Sequence, residues 1–143
     1  MTLTRAGAKL EDATHLLKTA TIPGHVKVIV LAIGVNNAKE DLATITGRIT
    51  TLQSAAAAAI GPKKLRILFT EVPQHPNALL AQSRAVNHLN QTARDIAGQS
   101  FVDLPVDLVV TPSTMSRYNT VHYDRSTADQ IIRHLRQVVS HLN

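Results

Sequence analysis

The sequence predicts an α/β fold, a parallel sheet with helices on both faces in a three-layer sandwich. Two patterns carry that reading. Apolar residues recur at helical spacing in several long segments, and short β-branched apolar runs stand between them. Length adds a third observation, because 143 residues suit one domain, 1–143, that buries about two thirds of the surface its unfolded chain exposes. Helices alternating with short strands imply right-handed βαβ crossovers.

Residues 8–20 place Leu10, Ala13, Leu16, Leu17 and Ala20 on one helical stripe, which Pro23-Gly24 ends. The run 26–33, Val-Lys-Val-Ile-Val-Leu-Ala-Ile, reads as a central parallel strand covered on both faces, followed by Gly34-Val35-Asn36-Asn37. Leu42, Ile45, Ile49, Leu52, Ala56 and Ala59 form the next helical face, and Gly61-Pro62 stands where a C-cap belongs. The alanine run 55–59 suits a close helix-to-sheet contact. A second strand spans 65–70, and Pro73 and Pro76 bracket a loop. A helix over 79–97 ends at Gly98, and 101–104 is a short third strand. The last helix carries Ala128, Ile131, Ile132, Leu135, Val138, Val139 and Leu142 on one stripe, with Ser126 and Asp129 as a capping-box-like start.

Composition narrows the chemistry. The chain has no Cys, which removes disulfides, thiolate nucleophiles and thiolate metal sites and is compatible with a reducing compartment. No apolar run approaches the roughly 20 residues of a membrane span, and no apolar signal core follows Met1. A soluble protein of the cytoplasm or a virion interior is the expectation, without membrane contact. Lys+Arg of 15 against Asp+Glu of 10 gives +5, and the pI near 10.0 suits negatively charged partners. Yet the basic residues are scattered, and 3% aromatics leave no stacking platform for bases. A solvated basic surface is therefore the stronger reading, and nucleic acid the weaker. The seven His are dispersed, so neither a metal site nor a cofactor is implied.

In open sheets of this class ligands sit outside the carboxyl ends of the strands. Gly34-Val35-Asn36-Asn37 lies at such an end, Arg5-Ala6-Gly7-Ala8 opens the first helix, and Asn119-Thr120-Val121-His122 precedes the last. A Gly N–H and an Asn amide can donate to an oxyanion, and a His can act as general base. Equally, Asn36 and Asn37 can build a strand-to-helix turn, and His122 can be an ordinary loop histidine.

The order of these blocks, from Gly7 through Asn36 to His122, resembles the SGNH (GDSL-like) hydrolase family. Its four blocks are a Gly-Asp-Ser nucleophile, a Gly, a Gly-x-Asn-Asp segment and an Asp-x-x-His. The resemblance implies a flavodoxin-like, SGNH hydrolase-type sheet, with Gly7 and Asn36 in the oxyanion hole and His122 as the base. A closer resemblance is to the SGNH-like domain in open reading frames of some animal retroelements and related mobile or viral elements. It rests on Arg5-Ala6-Gly7-Ala8, the segment 30–37, Leu89-Asn90, Val121-His122-Tyr123, Ser126-Thr127-Ala128 and the ending Leu142-Asn143.

The departures shape the functional expectation. No Gly-Asp-Ser occurs, and Asn119 stands where the Asp of Asp-x-x-His belongs, so the triad lacks both its nucleophile and the charge that stabilises an imidazolium. Asp124, Asp103 and Asp107 are candidate replacements; Ser113, Ser116 and Ser126 are near His122 in sequence, Ser126 reading better as an N-cap. The chain starts where the family's second block falls, which implies a sheet reduced at its N-terminus and an open edge on the strand 26–33. Either a partner strand covers that edge, from a second copy or from the rest of a longer polyprotein, or the sheet is rearranged around Met1–Thr4; a homo-oligomer or larger assembly is the expectation. Two readings remain: a non-catalytic interaction or assembly module of a mobile-element or viral protein, and an esterase of small acyl esters whose serine comes from another segment or chain.

Overall fold

The computed structural model describes residues 8–113 and 122–142. Along the chain run α1 (Leu10–Thr19), β1 (Val28–Leu31), a 3-10 turn (Val35–Asn37), α2 (Leu42–Ile60), β2 (Arg66–Thr70), α3 (Leu80–Ala97), a second 3-10 turn (Gly98–Ser100), β3 (Phe101–Val102) and α4 (Arg125–Ser140). The class is α/β: a three-stranded parallel sheet in the order β1-β2-β3, flanked by helices. Val28 pairs with Arg66 and Leu31 with Phe69, and Phe69 and Thr70 in turn meet Phe101 and Val102. Among the described helices none is long and apolar enough to cross a membrane.

Glycine and acidic caps set the helix limits. Gly61 (φ 45°) and Gly98 (φ 56°) terminate α2 and α3 with N–H groups bonded to the carbonyls of Ala57 and Arg94. Asp41 caps α2 by accepting from the Thr44 N–H at 2.7 Å. That bond holds its carboxyl below the ordinary range. The start of α4 corrects the sequence reading, since the cap is Asp124 and not Ser126. One oxygen of Asp124 accepts from both the N–H and the hydroxyl of Thr127 at 2.9 Å, while Ser126 lies exposed inside the first turn.

Most of the core lies on one face of the sheet. α1 packs on α2 and α2 on α3, burying Leu10, Ile45, Ile49, Leu52 and Leu89 against Ile67 and Phe69 of β2. In the alanine run Ala55 and Ala56 are buried, but Ala57 and Ala58 face solvent. Side chains alternate along a strand, so Leu68 and Thr70 point away from that core, and both are buried too.

Two strand expectations are corrected. The run 26–33 contributes only Val28–Leu31, and β2, not this run, is central. All four β1 residues are half-buried, whereas four of the five in β2 are fully buried. β3 stops at Val102 rather than continuing to 104 because a carboxylate replaces the ladder: Leu104 N–H donates to Glu71 Oε1 at 2.7 Å. Beyond Thr70 a side chain takes the same part. Asn90 of α3 accepts from the Val72 N–H at 2.8 Å and donates to the Val72 carbonyl at 2.9 Å, pairing with main chain as a strand would.

Candidate functional site

The carboxyl ends of the strands carry the residues singled out from sequence. β1 runs into Gly34, whose φ of 128° lies where L side chains are strained, and the 3-10 turn then presents Asn36 and Asn37. Both carboxamides are engaged with the start of α1. Asn36 Nδ2 donates to the Ala8 carbonyl at 3.0 Å, and Asn37 Oδ1 accepts from the Leu10 N–H at 2.9 Å. Asn37 has no exposed surface. Its Nδ2 donates to Glu11 Oε1 at 3.0 Å and to Glu40 Oε1 at 2.6 Å. Arg48 of α2 bridges the other oxygens of the two carboxylates, 3.3 Å from Glu11 and 3.5 Å from Glu40.

Burial pushes the Glu11 carboxyl up. A backbone N–H, the Asn37 amide and the Arg48 and Lys9 charges outweigh that push and hold it below its ordinary value of 4.5. A carboxyl depressed in the folded state adds stability above its unfolded pKa and loses it as pH falls through the folded value. Wild type is therefore expected to melt higher than Glu11→Gln at neutral pH. The two melting curves should converge as pH drops below about 4.5; a gap unchanged by acid would remove Glu11 from the clamp.

His122 lies on a separate network. Its carbonyl accepts from the Ser113 N–H at 3.1 Å and from His75 Nε2 at 2.9 Å. The Asp124 N–H donates to the Thr111 carbonyl at 2.8 Å, and Pro112 and Tyr123 form an antiparallel bridge. His75, in the loop after β2, is buried at 8% exposure. Its Nδ1 accepts from the Asn77 N–H at 3.0 Å, so the proton sits on Nε2 and points at His122. His75 thus fixes the main chain of residue 122, which is itself exposed. Next to it Tyr123 has its phenol pushed up by burial.

Gly7, Asn119 and Ser116 lie outside the described residues. Two of the candidate replacement acids have other partners. Asp124 caps α4, and Asp103 meets Arg94 at 2.8 Å, whose guanidinium stacks 4.6 Å from the Phe101 ring centroid. Asp107 lines a groove along α4 with Gln130, Arg133 and His134; His134 donates to the Asp103 carbonyl at 2.8 Å. The turns directly after the three strands read Ala32-Ile33-Gly34, Glu71-Val72-Pro73 and Asp103-Leu104-Pro105, and none holds a serine.

Sequence reasoning passed over His75 and the convergence of Glu11, Glu40 and Arg48 on Asn37. The only sequence signal for His75 is its place between Pro73 and Pro76 after a strand. The chain matches no protein-family model, and no curated protein is significantly similar to it.

Proposed function

We propose that the chain is an SGNH hydrolase-like domain that serves as a non-catalytic interaction or assembly module of the kind carried by mobile-element or viral proteins. In this reading α4, whose Ile131 is buried apart from the α1–α3 core, supplies the third layer of the sandwich. The observation that carries the reading is the use made of the turn after β1. An oxyanion hole needs an amide free to meet developing charge. Here Asn36 directs one of its two amide hydrogens to the Ala8 carbonyl, and Asn37, which has no exposed surface, is held wholly in the α1 clamp. The absence of serine from the three strand ends and the engagement of Asp124 and Asp103 elsewhere support the same reading. Assembly runs through the edge of β1, and the exposed Arg125, Arg133 and Arg136 of α4 supply positive charge for an anionic neighbour.

The esterase reading keeps one supporting feature, the exposed position of His122 on a main chain pinned by His75. Hydrolysis of a short-chain chromogenic ester separates the two. Wild type is expected to show no rate above that of His122→Ala. Ester hydrolysis abolished by His122→Ala would establish the enzyme instead.

A further inference from the structure

We propose that the open flank of α4 is a docking seam for an acidic amphipathic helix of a partner protein. The proposal rests on the assembly reading above and names a surface and the chemistry of what it takes.

α4 is the helix whose sequence and burial disagree. Its large aliphatic side chains are Ile131, Ile132, Leu135, Val138 and Val139, yet of these Ile131 alone is buried. Thr127, one turn before Ile131, faces the rest of the chain with it, its hydroxyl accepting from the Thr111 N–H at 2.8 Å. Ala128, Ile132, Leu135 and Val139 follow one another at alternating steps of four and three, which sets them on a second stripe about a quarter turn round the helix. Ile132 is 46% exposed, and the other three are half-buried. Alternating steps of three and four are the a and d positions of a heptad, the narrow seam against which one other helix packs.

Charge decides what kind of helix fits. Arg125, Asp129 and Arg136 line the solvent side of the seam and Arg133 stands further round, all four exposed. Among the described residues Arg48 and Arg94 are paired with carboxylates, whereas no ion pair involves the arginines of α4. Two cations against one anion on this border favour glutamate or aspartate at the flanking positions of the incoming helix. A lipid surface fits less well. α4 has no aromatic residue to sit at the interface, and an a/d seam is narrower than the face such helices insert. Nucleic acid would meet the arginines through its phosphates but leave the aliphatic stripe uncovered.

The probe is a fluorescein-labelled synthetic helix of about three heptads, with Leu at a and d and Glu at e and g so that its own copies repel, beside an analogue with Lys in place of Glu. Anisotropy with the full chain is expected to give micromolar binding of the Glu peptide that weakens with salt, and binding of the Lys peptide about tenfold weaker or less. Arg125→Glu combined with Arg136→Glu should reverse that preference, and Ile132→Asp should abolish binding of both peptides. All three positions are exposed, so circular dichroism should show these variants folded like wild type. Equal affinity of wild type for the two peptides, no binding of the Glu peptide up to about 1 mM, or an unchanged preference in the charge-reversed variant overturns the seam. Wild-type binding to phosphatidylserine vesicles that Ile132→Asp removes overturns it in favour of a lipid surface. None of these results touches the non-catalytic reading, which falls only with ester hydrolysis abolished by His122→Ala.

Discussion

Replacing Asn37 by Asp is expected to destabilise the fold by about 4 kcal/mol at neutral pH, more than Asn37→Ala at about 3 kcal/mol. The alanine variant removes the acceptor for the Leu10 N–H and the amide that serves Glu11 and Glu40. Aspartate restores the acceptor yet sets a third carboxylate against those two, with Arg48 as the cation bridging them and no exposed surface to relieve it. The order of the two variants should therefore narrow or reverse as pH falls and the cluster takes up protons. Urea unfolding across pH reads this directly; an Asp variant as stable as wild type at neutral pH would show that the amide donor is dispensable. The convergence of Glu11 and Glu40 gives a physical reason for an amide at Asn37.

Gly34→Ala is expected to cost about 3 kcal/mol, and thermal unfolding to fall by about 10 °C. Two effects add. The backbone at φ 128° is strained for any L side chain, and an added Cβ would lie 2.8 Å from Leu89 Cδ1 and 3.5 Å from Leu10 Cδ2. Leu89 is 3% exposed, so its movement disturbs the α1–α3 core. A companion change of Leu89 to a smaller residue should relieve only the contact and leave the backbone strain. A loss below 0.5 kcal/mol, within the range of ordinary surface substitutions, would mean that the turn relaxes to an ordinary conformation.

The sequence made the helices legible because their ends are chemically marked. Gly61 and Gly98 fall at left-handed caps, and the apolar stripes follow the helical period. The start of α4 was harder because Ser126 and Asp124 are both good capping residues, and only the geometry of Thr127 decides between them. β1 read as a central strand because an apolar run looks the same whether one strand or two lie beside it. In the site, Asn36 and His122 stood out through block order. His75 did not, because a lone histidine in a loop has no spacing to betray it. Nor did the clamp: Asn37 and Glu11 are 26 residues apart, and their meeting follows from α1 docking on α2.

Strand order that follows chain order also governs how the protein acquires its structure. Each crossover joins neighbours through a single helix, so no strand waits for a later one to be inserted between it and its partner. The fully buried Ile45, Ile49 and Leu52 all lie on α2, between β1 and β2. A βαβ unit can thus condense around α2 during synthesis, and α3, β3 and α4 then add in the order they emerge. Among the described residues, growth of this kind adds each new strand on the β2 side of β1.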